Sequence, residues 1–303
     1  MKKIVLGLCC FSAFAFCAEG FGGNISLGGG FKKLQSNINP SNDKHTIANY
    51  NQSNDDTEAI PFFGINLYYN GVFDDDKVFL KNYNSREVSG LSAGYGFNYG
   101  KNSTEIAFVG TFFEEAYANP YLTGANREVV DRTHYGIQIE QTYALSEINR
   151  IYGSYTFIKE SYDKEDLDYD LLRKGDIHSF ELGYEIYGLK LGLYYDVKDA
   201  DSDAESYKGY GASISGEYEV INDTFVNASI EYGIKDFDGT NKIFNQTREA
   251  NVLKLGVGAR KEKIFGFQNA YAFANYLYGD TNDDIAFFDE TYHIGIIGVG
   301  YKF

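Results

Sequence analysis

The sequence predicts an all-β chain closed into a transmembrane antiparallel β-barrel of about 14 strands, with 12 as the alternative count. Three observations carry this. Stretches of about a dozen residues alternate between two faces: Leu189, Leu191, Leu193, Tyr195 and Val197 form one, and Lys190, Gly192, Tyr194, Asp196 and Lys198 the other. That is the period and length of a tilted strand crossing a bilayer. Short polar connections alternate with long ones, as periplasmic turns and extracellular loops do. The 303 residues hold 33 Gly, 27 Tyr and 24 Phe at a mean hydropathy of −0.35, and they contain no apolar run of about 18 residues for a spanning helix.

The elements follow in order. Lys2 and Lys3, an apolar run over 4–16 and small residues at Ala15, Cys17 and Ala18 read as a secretory signal peptide, too short to span a bilayer. Cleavage after Ala18 is expected, leaving residues 19–303 as the barrel. Cys9, Cys10 and Cys17 all lie in the signal, without a convincing lipidation box. The mature chain then has no disulfide, thiol nucleophile or cysteine metal site.

Strands are expected over 21–32, 62–71, 77–82, 87–99, 104–114, 132–145, 150–162, 176–187, 189–198, 207–220, 224–236, 250–261, 267–279 and 291–303. The pair within 62–82 has the weakest pattern, and removing it leaves 12. A long polar loop over 33–59 follows the first strand. Tight turns fall at 101–103, 146–149, 188, 221–223 and 262–266, and longer polar segments at 115–130, 162–175, 199–206, 237–248 and 280–290. Pro40, Pro61 and Pro120 fall in loops or at a strand start, as a closed sheet requires.

At the C-terminus Phe303 closes a stretch with Tyr301, Val299 and Ile297 on one face and Gly298 and Gly300 on the other. It resembles the terminal assembly signal of Gram-negative outer-membrane barrels, which implies Gly298, Tyr301 and Phe303 as signal residues and the barrel assembly machinery as a partner. Ile296 departs from that pattern, standing where a polar residue is common. Two further stretches, Ala118-Asn119-Pro120-Tyr121-Leu122-Thr123-Gly124 before Arg127-Glu128, and Gly20-Phe21-Gly22-Gly23-Asn24-Ile25-Ser26-Leu27, resemble a family of uncharacterised exported proteins of Gram-negative bacteria. The resemblance implies an outer-membrane barrel, embedded in outer-membrane lipid, and no settled activity.

Twenty-seven basic against 43 acidic residues, a formal charge of −16, exclude nucleic acid as a partner. No motif calls for a cofactor. The run Asp199, Asp201, Asp203, Glu205 lacks the Gly and the closing Glu of a calcium loop and reads as a solvated outer loop. His134 near Asp131 and His178 near Asp176 are the only catalytic pattern, and no nucleophile motif accompanies them. His134, His178 and His293 fall on separate strands, so no single metal site is expected, and the chain is read as a non-enzyme.

The polar strand face carries the functional reading. With the apolar face toward lipid, Glu105, Glu140, Arg150, Glu181, Glu185, Lys190, Glu217, Glu231, Lys254 and Arg260 point inward. So many charges either pair with one another or line water. A porin-like channel for passive diffusion of small solutes or ions is therefore expected, with cation preference from the excess of inward carboxylates. A structural or surface-binding, adhesin-like barrel without a pore is the alternative, and an outer-membrane hydrolase ranks behind both. Pro120, Tyr121, Leu122, Thr123 and Gly124 are candidates for a loop that narrows the lumen; packing of the same residues against neighbouring outer loops is the competing expectation.

Overall fold

A computed structural model describes residues 20–40, 45–51, 55–73, 76–111 and 114–303. The expected signal segment lies outside the described residues. The strands are β1 (Phe21–Gln35), β2 (Asp55–Asn70), β3 (Asp76–Asn84), β4 (Ser89–Tyr99), β5 (Asn102–Gly110), β6 (Glu114–Tyr117), β7 (Val129–Ala144) and β8 (Asn149–Tyr162). They continue with β9 (Gly175–Ile186), β10 (Leu189–Ala200), β11 (Tyr207–Ile221), β12 (Thr224–Asn241), β13 (Gln246–Glu262), β14 (Ala270–Asp283) and β15 (Glu290–Lys302).

Every neighbouring pair is antiparallel, and the ring is closed by β1 against β15 and by β5 against β7. β5 and β6 lie one after the other along β7, and the register changes by one residue between Gly110↔Tyr135 and Glu114↔Arg132. They are two segments of one stave, so the barrel has 14 positions. The larger of the two expected counts is the observed one.

The outward phase is apolar. Phe108, Ile297 and Leu193 are 73%, 69% and 68% exposed, and a soluble protein would not leave so many large apolar side chains bare over one continuous surface. Tyr99, Tyr143, Tyr187, Tyr218 and Phe267 gather near the short turns, an interfacial aromatic girdle. Near the opposite rim, His178 and His293 hydrogen-bond Tyr155 (2.9 Å) and Tyr276 (2.7 Å) on the outer surface. This is a barrel seated in the outer membrane, and both histidines belong to its rim.

The short turns are built for strand return. Tyr187 (φ 50°) and Gly188 (φ 78°) form a two-residue turn with both residues left-handed, the geometry that matches the twist of paired strands. The closing seam is short and aromatic: Phe303 N–H donates to Gly23 O at 3.0 Å, the reverse bond is also 3.0 Å, and the Phe21 and Phe303 rings stack at 5.5 Å. Deleting Phe303 removes both bonds and the stack. It is expected to lower the yield of folded barrel several-fold, measured as heat-modifiable mobility of outer-membrane fractions, and unchanged yield would refute the assembly role.

The structure corrects several boundaries. The polar segment expected over 237–248 is a tight hairpin, because β12 runs to Asn241 and β13 starts at Gln246, with Thr240 paired to Thr247. Backbone pairing holds strands above the bilayer whatever their side chains are, so polar composition there does not end them. The loop expected over 33–59 is shorter, since β1 reaches Gln35 and β2 starts at Asp55. Pro61 consequently lies inside β2 and not at a strand start.

Candidate functional site in the barrel interior

Inward and outward positions follow from register, because directly opposed residues of an antiparallel pair share a face. Glu181 sits opposite Ser154 and Tyr194, Ser154 opposite Glu140, and Glu140 opposite Glu105. Arg150 and Lys190 flank Glu185. Glu231 opposes Lys254, and Arg260 bonds Glu217 at 3.0 Å. All ten sequence candidates thus stand on one face, and it is the interior one, since a hairpin from the far wall reaches Glu181 and Lys254.

That hairpin joins β3 to β4. Its tip, residues 85–88, is held by Ser85: the Ser85 N–H donates to Val88 O (2.8 Å), and the Val88 N–H donates to Ser85 Oγ (3.1 Å). The tip leaves the wall and crosses the lumen. Arg86 forks onto Asp196 with two bonds of 2.9 Å, gives a third to Glu181 at 2.8 Å, and lies 4.2 Å from the centre of the Tyr194 ring. Glu87 meets Lys235 at 2.8 Å, and Lys254 Nζ donates to Arg86 O at 2.7 Å. On the wall beside the tip, Tyr83 and Val88 pack with Val109, Ile158 and Ile177 as an apolar core inside the barrel. Charge-assisted bonds on one side and apolar packing on the other fix the plug.

Above the hairpin, the outer loops close the mouth. Ile47, Tyr121, Leu171, Ala204, Phe287 and Phe288 form a buried cluster against which Ile38, Tyr50 and Phe244 pack. Tyr121 stacks on Phe287 (5.5 Å), donates its hydroxyl to Glu205 (3.0 Å) and accepts from Asn241 Nδ2 (3.1 Å). Burial, with the neighbouring Glu205 carboxylate, pushes the Tyr121 hydroxyl well above the usual phenol range, so it stays a donor. Pro120 and Tyr121 are buried, Leu122 is 40% exposed, Thr123 bridges to Ile47, and the Gly124 N–H donates to Ile47 O at 2.8 Å. The segment therefore packs against neighbouring outer loops, and by that packing it caps the barrel. Arg127 locks it, buried at 1% exposure, with bonds to His45 O and Asn37 O and its guanidinium 3.8 Å from the Tyr117 ring centre.

A cavity of about 170 Å³ remains between cap and hairpin, reached by Tyr121 and Phe288 from above and by Glu87 from below. Its walls are charged. Glu160 accepts from Tyr162 (2.8 Å) and Lys198, while the His134 ring lies between Glu114 (2.6 Å) and Glu160 (3.2 Å). Arg248 pairs with Asp283 (2.9 Å) and lies 3.5 Å from the Phe288 ring centre. The His134 ring is thus part of an ion-pair network with Glu114 and Glu160, and its backbone N–H donates to Thr111 Oγ1 at 3.1 Å.

The interior charges are mostly matched. Glu105 takes Lys77 and Lys81, each at 2.7 Å; Glu231 takes Lys254 at 3.3 Å; Glu185 lies 3.9 Å from both Arg150 and Lys190. Glu140 makes no ion pair among the described residues. Sequence reasoning left out Asp196 and Lys198, although they continue the alternation of Lys190, and it left out the Arg86-Glu87 tip. The readable signal for the tip was a charged pair set between Tyr83 and Val88 in an otherwise short connection.

A family described as "Protein of unknown function (DUF2860)" matches residues 20–302. No curated protein matches. Among solved structures the chain is similar to Pseudomonas aeruginosa OccK9 (6% identity, TM-score 0.44, covering 93% of this chain and 98% of that one). It is also similar to OmpT, an outer membrane protein of Vibrio cholerae (12%, 0.43, 95% and 99%), and to the P. putida toluene transporter TodX (12%, 0.44, 95% and 90%). Likenesses this distant carry no activity and no solute.

Proposed function

Because the chain belongs to the DUF2860 family, whose function is unknown, membership supplies no activity, and we propose from geometry that the barrel is a gated outer-membrane channel for passive diffusion of small solutes or ions. One observation carries the reading: the block across the lumen is a piece of the wall itself, held at its tip by a few charged side chains. Side chains alone fill a barrel of about eight strands, so in one of fourteen positions it is the in-folded hairpin, and not wall side chains, that blocks the lumen. Here Asp196, Glu181, Lys235 and Lys254 bond the hairpin tip and would line water once it withdrew.

Refolded protein in planar bilayers is the test. It is expected to sit mainly closed, with discrete openings at raised voltage; silence under all voltages, in the wild type and in tip variants alike, would leave the structural or adhesive reading.

Cation preference belongs to the same proposal. With most interior carboxylates neutralised by partners, the unmatched Glu140 is the group that attracts cations in the lower lumen. Glu140→Gln is expected to lower the cation-to-anion permeability ratio about two- to threefold, as a single unit charge near a pore does at moderate screening. Reversal potentials across a KCl gradient measure it, and an unaltered ratio would move the selectivity elsewhere.

A further inference from the structure

The compartment between cap and hairpin holds more hydrogen-bond donors than its own acceptors use. Four fixed cations line it, Arg132, Arg173, Lys198 and Arg248, against three carboxylates, Glu87, Glu160 and Glu205. The carboxylates are engaged: Glu160 is bonded by Tyr162, His134 and Lys198, Glu205 by Tyr121, and Glu87 by Lys235. The arginines have bonds to spare. Arg132 stands 3.4 Å from Glu114 and 3.9 Å from Glu160, and among the described residues its Nε reaches no partner with hydrogen-bond geometry. Arg248 donates from Nε to Asp283, with Glu205 3.6 Å from Nη1; Arg173 donates from Nε to Glu165 and from Nη2 to Tyr117 O, which leaves its Nη1. The Tyr207 hydroxyl, buried beside Glu87, also reaches no partner with hydrogen-bond geometry. Buried donors without acceptors are costly, and the group that satisfies several guanidinium N–H at once is an oxyanion.

Aromatic rings aim these donors. The Arg248 guanidinium lies between the Phe237 and Phe288 rings, 3.9 and 3.5 Å from their centres, and that of Arg173 lies 4.4 Å from the Tyr162 ring centre. A covered face leaves the guanidinium edge, the side that takes a carboxylate through two parallel bonds. Ile38 and Ile177 add apolar surface to the lining. The volume of about 170 Å³ is that of about six waters at about 30 Å³ each, room for a carboxylate with a body of single-ring size. Glu140 is not among the lining residues, so the charge assigned to cation preference stands outside the compartment.

We propose that this compartment is a binding site for a small monocarboxylate with an apolar body, its carboxylate on the Arg132 guanidinium, with Arg173 and Arg248 supplying further donors, and its body on Ile38 and Ile177. The proposal rests on the channel reading and names the class of solute held between the two closures.

The full mature chain, refolded in neutral detergent, would be titrated calorimetrically with benzoate, with inorganic phosphate, and with benzyl alcohol, the same ring without the charge. Phe287→Ala, a truncation within the cap cluster, would be titrated in parallel to admit the probe. Saturable benzoate binding is expected in at least one of the two preparations, about tenfold or more tighter than phosphate, with no binding of benzyl alcohol. Arg132→Gln is expected to weaken benzoate about tenfold, the loss of one charge-assisted bond. Arg132→Lys, which keeps the charge and loses the fork, is expected to weaken it about threefold, and Arg150→Gln in the lower lumen to leave it unchanged. Heat-modifiable mobility establishes that each variant is folded. Benzoate bound by neither preparation, phosphate or benzyl alcohol bound as tightly, affinity indifferent to both Arg132 variants, or an equal loss in Arg150→Gln would each overturn the site. Planar-bilayer conductance separates the two readings: conduction without benzoate binding overturns the site alone, whereas benzoate binding without conduction overturns the channel and keeps the site.

Discussion

Arg86→Ala is expected to convert a mostly closed barrel into a mostly open one. The guanidinium makes three bonds to two carboxylates, and Asp196 is only 1% exposed. Removing one partner of a buried pair costs about 3–5 kcal/mol because the other charge is left unmatched. The cheapest way to relieve Asp196 is to admit water, which requires the tip to withdraw. At about 1.4 kcal/mol per tenfold, even the lower figure shifts the closed-to-open equilibrium about a hundredfold. Single-channel open probability measures it. The exchange Arg86→Glu with Asp196→Arg should restore part of the closed state, a rescue that loss of folding alone would not allow. Equal open probability in Arg86→Ala and wild type would show that the apolar side of the plug holds it unaided.

Phe287→Ala is expected to loosen the cap without opening the pore. Phe287 is 1% exposed and lies within ring contact of Tyr50, Tyr121, Phe244 and Phe288. Truncating a phenylalanine so placed costs about 3–5 kcal/mol, and the loss falls on the loops, because the strands below are held by their own ladder. Limited proteolysis should cut within 118–128 and 284–289 at least tenfold faster, while heat-modifiable mobility stays that of a folded barrel. Conductance should change little alone and rise further when Phe287→Ala joins Arg86→Ala, since cap and hairpin close the lumen in series on either side of one cavity. An open pore in Phe287→Ala alone would make the cap the only gate.

Much of the wall was legible before any coordinates. β7 to β11 begin and end within about three residues of the stretches that alternation marks, and the even parity placed both ends of the chain on the short-turn side. What escaped was structure without apolar rhythm: the protruding β12 and β13, the start of β2 at Asp55, and the break between β5 and β6. Interior charges were found in the middle of long regular strands, whereas Asp196 and Lys198 of β10, Glu160 of β8 and Lys235 of β12 were left out although they share the inward phase. Arg86 and Glu87 were missed because a four-residue connection has no period to read.

The sequence by itself determined that the chain is a membrane barrel of even strand number with a charged inner phase. That information is local: a period of two assigns faces, and antiparallel register copies the assignment from strand to strand around the ring. Only the tertiary structure decided whether the interior is open. The bond that closes it joins Arg86 to Asp196 across 110 residues of chain. Alternation constrains each strand against lipid and water. It does not constrain which side chains meet across the lumen, because that depends on the curvature of the closed wall and on one hairpin leaving it.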